Sequence, residues 1–170
     1  MKLNKKIVAS LAATAAVFGS VSAQAASTKT GNFDITANVI SSCYLETQNI
    51  DFGSVQVTNP TETVANSSVK VVCSKGVGYN VTLSGGLSTD PTARQMALST
   101  NAAERLNYSV LINDGATEFN WGTAEGQKLV QTTAQNADGT KVFNLKAIIP
   151  GSQFVTPGSY SDTLTATINY

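Results

Sequence analysis

From residue 160 to residue 170 the chain alternates. Tyr160, Leu164, Ala166, Ile168 and Tyr170 share one phase, and Ser161, Thr163, Thr165, Thr167 and Asn169 fill the other. Side chains that repeat with period two lie on opposite faces of an extended strand, whereas a helix gathers apolar residues at a period of 3.6. The same pattern occupies residues 31–40, where Phe33, Ile35, Ala37 and Val39 are separated by Asp34, Thr36 and Asn38. A chain written this way buries its apolar residues by building sheets.

Further runs rich in Val and Thr cover residues 50–57, 64–73 and 77–83, with breaks at Asn59-Pro60 and Lys75-Gly76. Residues 106–113 place Leu106, Tyr108, Val110 and Ile112 on one face and stop at the turn signal Asn113-Asp114-Gly115. Residues 142–149 form another run, ended by Pro150-Gly151. About seven short strands, spaced by roughly ten residues, predict an all-β antiparallel sandwich or barrel. The one stretch of helical character is residues 91–97, where Asp90 is placed to cap a turn and Pro91 to open it. At 170 residues a single domain is expected, with no internal repeat or linker.

The N-terminal end has a different composition. Lys2, Lys5 and Lys6 form a basic start, residues 7–18 are mostly apolar, and Ala23-Gln24-Ala25 is a small-x-small site. These three regions in order predict a secretory signal peptide over residues 1–25. The apolar run falls short of the about 20 residues that a membrane-spanning helix needs, so no membrane insertion of the mature chain is expected. The 11 Lys+Arg balance 11 Asp+Glu, but the signal holds three of the lysines and no acid. The mature chain is therefore mildly acidic and offers no basic field to nucleic acid. Export also makes the cysteines readable: Cys43 and Cys73 are the only two, and in an oxidising compartment they are expected to form a structural disulfide.

Chemical motifs are scarce. The chain has no histidine, which removes Ser-His-Asp and Cys-His catalysis and most zinc sites. Gly76-Val77-Gly78 lacks the third glycine and following helix of a nucleotide loop, and Asp51-Phe52-Gly53 has no kinase context, so both are expected to be bends. The carboxylates are scattered singly, without the pairing that glycoside hydrolysis or calcium requires. A Ser-Lys dyad through Lys70, Lys75 or Lys146 has no motif to support it. No enzyme activity and no cofactor are expected.

What remains is the alternating strand near each end. A terminal strand preceded by the polar residues 26–30 can pair within its own sheet or leave to complete the sheet of another molecule, and the pattern alone favours the ordinary edge strand. At this point the ordered motifs matter. The sequence Gly31-Asn32-Phe33-Asp34-Ile35-Thr36-Ala37-Asn38-Val39 leads into Ser41-Ser42-Cys43, followed by Ile50-Asp51-Phe52-Gly53 and Val69-Lys70-Val71-Val72-Cys73. Arg94-Gln95-Met96, Leu106-Asn107-Tyr108 and Trp121-Gly122 come next, and the ending runs Pro157-Gly158-Ser159-Tyr160-Ser161-Asp162-Thr163-Leu164-Thr165-Ala166-Thr167-Ile168. This set resembles the subunits of archaic chaperone-usher pili, which carry the spore coat protein U domain, across essentially the whole mature chain.

The resemblance implies an incomplete immunoglobulin-like antiparallel sandwich, completed by a donor strand from another chain. Residues 26–40 would be the donor segment and 41–170 the pilin domain. Phe33, Ile35, Ala37 and Val39 would plug the next subunit's groove; Leu164, Ala166 and Ile168 would line the acceptor edge, with the Tyr170 carboxylate anchoring in a chaperone. The implied partners are a periplasmic chaperone, an outer-membrane usher and other pilus subunits or copies of this chain in a homo-polymer. The implied function is a structural subunit of a surface pilus serving adhesion and biofilm formation. Two other readings compete: a monomeric adhesive or carbohydrate-binding tip module using Tyr44, Tyr79, Phe119 and Trp121, for most of which burial in the core is the rival role, and an extracellular or spore coat structural protein.

Overall fold

The computed structural model describes residues 26–132 and 138–170; the expected signal peptide, 1–25, lies outside the described residues. The strands are β1 Cys43–Thr47, β2 Thr63–Cys73, β3 Tyr79–Leu83, β4 Arg94–Leu98, β5 Asn101–Asn113, β6 Glu118–Asn120, β7 Leu129–Gln131, β8 Thr140–Ile149, β9 Tyr160–Ser161 and β10 Ala166–Asn169, with one 3₁₀ turn at Gly86–Ser88. The larger sheet has the order β1-β2-β8-β5-β4-β9, with β6 beside β5, and the smaller has the order β10-β3-β7. Every pairing is antiparallel.

Period two decides the core. Leu106, Tyr108, Val110 and Ile112 of β5 are buried, as are Phe143, Leu145, Ala147 and Ile149 of β8 and Val69, Val71 and Cys73 of β2. Val81 and Leu83 of β3 and Leu129 of β7 join the same cluster from the smaller sheet. The expected turn at Asn113-Asp114-Gly115 is present, with the Asp114 carboxylate accepting from the Ala116 and Thr117 amides at 2.8 Å each.

Cys43 stands directly opposite Cys73 in the β1–β2 ladder and is bonded to it, with an S–S distance of 2.04 Å. Closing that loop stabilises the fold by about 3.5 kcal/mol on the chain-entropy estimate. The double variant Cys43→Ser/Cys73→Ser is therefore expected to lose about that much in urea unfolding. A midpoint equal to wild type would show that β1 is held by its ladder alone.

Three expected elements differ. Residues 91–97 do not form a helix: the Asp90 carboxylate accepts from the Thr92 amide and hydroxyl at 2.8 Å each, a single turn that delivers the chain into β4. Arg94, Met96 and Leu98 then point inward at period two. Residues 50–57 carry no strand; Ile50, Phe52, Val55 and Val57 lean on the core without a partner ladder. Residues 31–40 also carry no strand and are exposed throughout. Alternation states which face a strand would bury, and a strand forms only where a neighbour accepts its hydrogen bonds.

Tyr79 is buried, and its hydroxyl has no hydrogen-bond partner among the described residues. Burial pushes its pKa up to about 12. A raised folded-state value means the native protein holds a proton that the unfolded chain gives up first, so stability is full below the ordinary phenol value and is lost as pH rises toward 12. Thermal melts are expected to fall steeply above about pH 10, and Tyr79→Phe to flatten that fall.

Candidate functional site

A cleft of about 1560 Å³ opens along the domain. One wall is formed by residues 50–58, the other by residues 155–166, and Leu83, Met96, Leu106, Val110, Trp121 and Leu145 contribute to the apolar floor. Both walls are bare of sheet pairing where they face the opening. Among the described residues, no backbone hydrogen bond joins residues 50–55 to a neighbouring strand. Gly53 turns this wall at φ +62°, with its amide bonded to the Asp51 carboxylate at 2.8 Å, so Asp51-Phe52-Gly53 is the expected bend.

The second wall is built by a strand that changes sheets. Tyr160 and Ser161 pair with Leu98 and Ala97 of β4 in the larger sheet, and Ala166 onward pairs with Leu83 of β3 in the smaller one. Asp162 sits at the crossing. Its carboxylate accepts from the Leu87 amide at 3.1 Å, the Thr163 amide at 2.7 Å and the Tyr108 hydroxyl at 2.6 Å. Burial, then the bond to Asp162, pushes the Tyr108 phenol well above its ordinary range, so it stays a donor at neutral pH. A Cβ at Gly86 would collide with the Asp162 carboxylate, which explains glycine there.

Beneath the cleft lies Arg94, fully buried. It donates from Nε and Nη2 to the Ser84 carbonyl at 3.1 and 2.8 Å, from Nη1 to Pro91 at 2.7 Å and from Nη2 to Trp121 at 2.5 Å. No carboxylate lies within ion-pair distance among the described residues. Burial lowers its pKa, opposed by Tyr108, Asp162 and Asp90. One guanidinium thus ties the end of β3, the turn before β4 and the Trp121 strand end, fixing the floor.

The positions named from sequence fall as follows. Leu164 and Ala166 line the cleft. Ile168 is half-buried against the core, two residues further along β10, and among the described residues that strand pairs only with β3, at the edge of the smaller sheet. Tyr170 is 60% exposed, beside a shallow depression that includes Lys128 and Asn80. Phe33, Ile35 and Val39 are 81%, 86% and 86% exposed, and Ala37 is exposed as well. Of the four aromatics considered for ligand binding, Tyr79 and Trp121 are buried and Phe119 is half-buried, leaving only Tyr44 on the surface. Sequence reasoning missed the 50–58 wall, Arg94 and Asp162. No group of acidic and cysteine residues suited to a metal occurs among the described residues.

Fold and cleft together define an immunoglobulin-like sandwich with one strand position left open. The family model for the Spore Coat Protein U domain matches residues 29–167, and the chain belongs to that family. Among solved structures, the chain is similar to one in the CsuC–CsuE chaperone–tip adhesion subunit pre-assembly complex from archaic chaperone-usher Csu pili of Acinetobacter baumannii, at TM-score 0.59 and 22% identity. That match covers 78% of this chain and 40% of the other, so this chain spans well under half of the length of its counterpart. A weaker likeness is to HdaB, the minor tip subunit of the E. coli Hda pilus, at TM-score 0.41 and 13% identity over 73% of this chain and 80% of that one. No curated protein matches.

Proposed function

We propose that this protein is a structural subunit of a chaperone-usher surface pilus that polymerises by donor-strand exchange. Residues 1–25 act as the export signal, 26–40 as the donor and 41–170 as the body. The observation that carries the reading is the apolar-floored cleft between residues 50–58 and 155–166, in a chain whose own N-terminal segment exposes Phe33, Ile35, Ala37 and Val39 in one alternating phase. Each is half of a strand pair, and neither is satisfied by the other's absence: an open cleft leaves backbone groups unpaired and apolar floor wet.

The geometry also suits a fibre. β1 begins at Cys43 opposite Cys73, while the other end of β2, Thr63, lies opposite Ile149. The N-terminal segment therefore joins the body about 33 Å, the length of an eleven-residue strand, from the end where the two cleft walls meet near Val57 and Gln153. A donor that leaves at one end and a cleft whose walls meet at the other make a head-to-tail contact that does not close on itself, which is the condition for a filament.

On this reading a periplasmic chaperone holds the cleft until an outer-membrane usher exchanges it for the next subunit's donor, and the assembled fibre serves adhesion and biofilm formation at the cell surface. The similarity to a chain from a chaperone–subunit complex supports the chaperone. The test is the exported protein purified without a chaperone. It is expected to form ladders that survive SDS without boiling, and an excess of a synthetic peptide of residues 30–40 is expected to collapse the ladder to monomer. A clean, stable monomer without peptide would overturn the reading.

A further inference from the structure

Phe154 is 98% exposed, the most exposed large apolar residue in the described body. It does not stand on a loose loop. The Ser152 amide bonds the Asn59 carbonyl and the Gln153 amide bonds the Val57 carbonyl, both at 2.9 Å. The Gln153 side chain accepts from the Asn107 amide at 2.9 Å and donates to the Asn107 and Pro150 carbonyls at 3.1 and 2.9 Å, taking the place of a neighbouring strand beside β5. Two residues beyond Phe154, the Thr156 amide bonds the Glu104 carboxylate at 3.0 Å. A phenyl ring held out by so fixed a backbone loses little freedom on being covered, which is the condition for an anchor residue at an interface.

Its neighbour Val155 lines the cleft, so Phe154 stands on the rim, at the end where the walls meet. That end is the one far from Cys43. A head-to-tail chain leaves room for both neighbours only if the incoming body docks away from the acceptor's own N-terminal exit. The incoming donor then runs with Val39 nearest the rim and Phe33 deepest along the cleft, antiparallel to residues 155–166. Where the incoming copy's chain leaves the cleft it carries two exposed apolar side chains, Ile40, the last residue of the donor segment, at 74% and Tyr44, just beyond it, at 61%.

Resting on the donor-strand reading above, we propose that Phe154 is a clasp between subunits, packing against Ile40 and Tyr44 of the next copy of this chain at each joint of the fibre. The test uses fibres of the full chain. A photoreactive phenylalanine analogue at position 154 is expected to give covalent dimers whose cross-linked peptide carries residues 38–46 of the neighbour. In a second measurement, Phe154→Trp is expected to shift its emission to the blue and lose acrylamide quenching when subunits join; Trp121, on the cleft floor, is accounted for by subtracting the same measurement on the unsubstituted protein. Fibres that form normally while cross-links map elsewhere, or while the new Trp stays open to quencher, overturn the clasp and leave donor-strand exchange standing. If the unsubstituted protein forms no SDS-resistant oligomers, donor-strand exchange falls and the clasp falls with it.

Discussion

Ile35→Asp is expected to abolish fibres on the cell surface while the exported subunit keeps its disulfide and its fold. Ile35 is 86% exposed, so the change removes no internal contact that holds the subunit together. In a joined pair the same side chain would sit over the cleft floor. On the proposed donor-strand reading, burying Phe33, Ile35 and Val39 would stabilise a joint by roughly 5–9 kcal/mol before the hydrogen-bond ladder is added. The substitution loses one of those anchors and brings a carboxylate against apolar side chains, a combined penalty of about 5 kcal/mol or more, which is over a thousandfold in affinity. Thr36→Asp, one position along and on the opposite face of the donor, is expected to leave fibres intact. Surface fibres counted by electron microscopy separate the two. Equal loss in both variants would show that charge in the segment, and not the Ile35 face, decides assembly.

Arg94→Leu is expected to destabilise the domain by about 3 kcal/mol or more. Leucine keeps much of the stem's packing but leaves the carbonyls of Ser84, Pro91 and Trp121 without their donor. Each buried acceptor left unpaired costs about 1–3 kcal/mol. The isolated subunit has an open cleft, so a loss of that size takes a large share of a typical domain's 5–15 kcal/mol. Trp121, the single tryptophan, reports on the floor directly, and its fluorescence in urea gives the midpoint. Arg94→Lys keeps the charge and loses the fork, and is expected to recover only part of the loss. A change below about 1 kcal/mol in Arg94→Leu would show that the three carbonyls find water instead.

The strands that pair fully were legible from sequence because β5 and β8 alternate cleanly and end at turn residues. Residues 91–97 depart from the expected helical character because Arg94 hides the alternation it begins: a guanidinium reads as surface, although here it is the most buried charged group among the described residues. One wall of the cleft was legible in Leu164 and Ala166. The other was not, since Ile50, Phe52, Val55 and Val57 break phase between Phe52 and Val55, and their burial depends on a neighbour that the single chain does not supply. Asp162 did leave a trace. It occupies the apolar phase between Tyr160 and Leu164, a polar residue where the alternation calls for an apolar one, and that is where the strand changes sheets.

The position of the disulfide has a mechanical meaning. Any pull on the N-terminal segment enters the body at Ser42 and Cys43, where Ser74 grips the Ser42 backbone through bonds of 2.8 to 3.2 Å. One residue on, tension crosses the sulfur bridge into β2, a strand zipped to β8 from Thr63 through Val72. β1 therefore cannot be peeled from the sheet edge one hydrogen bond at a time, and a tug on that segment is spread across the interior of the larger sheet as shear.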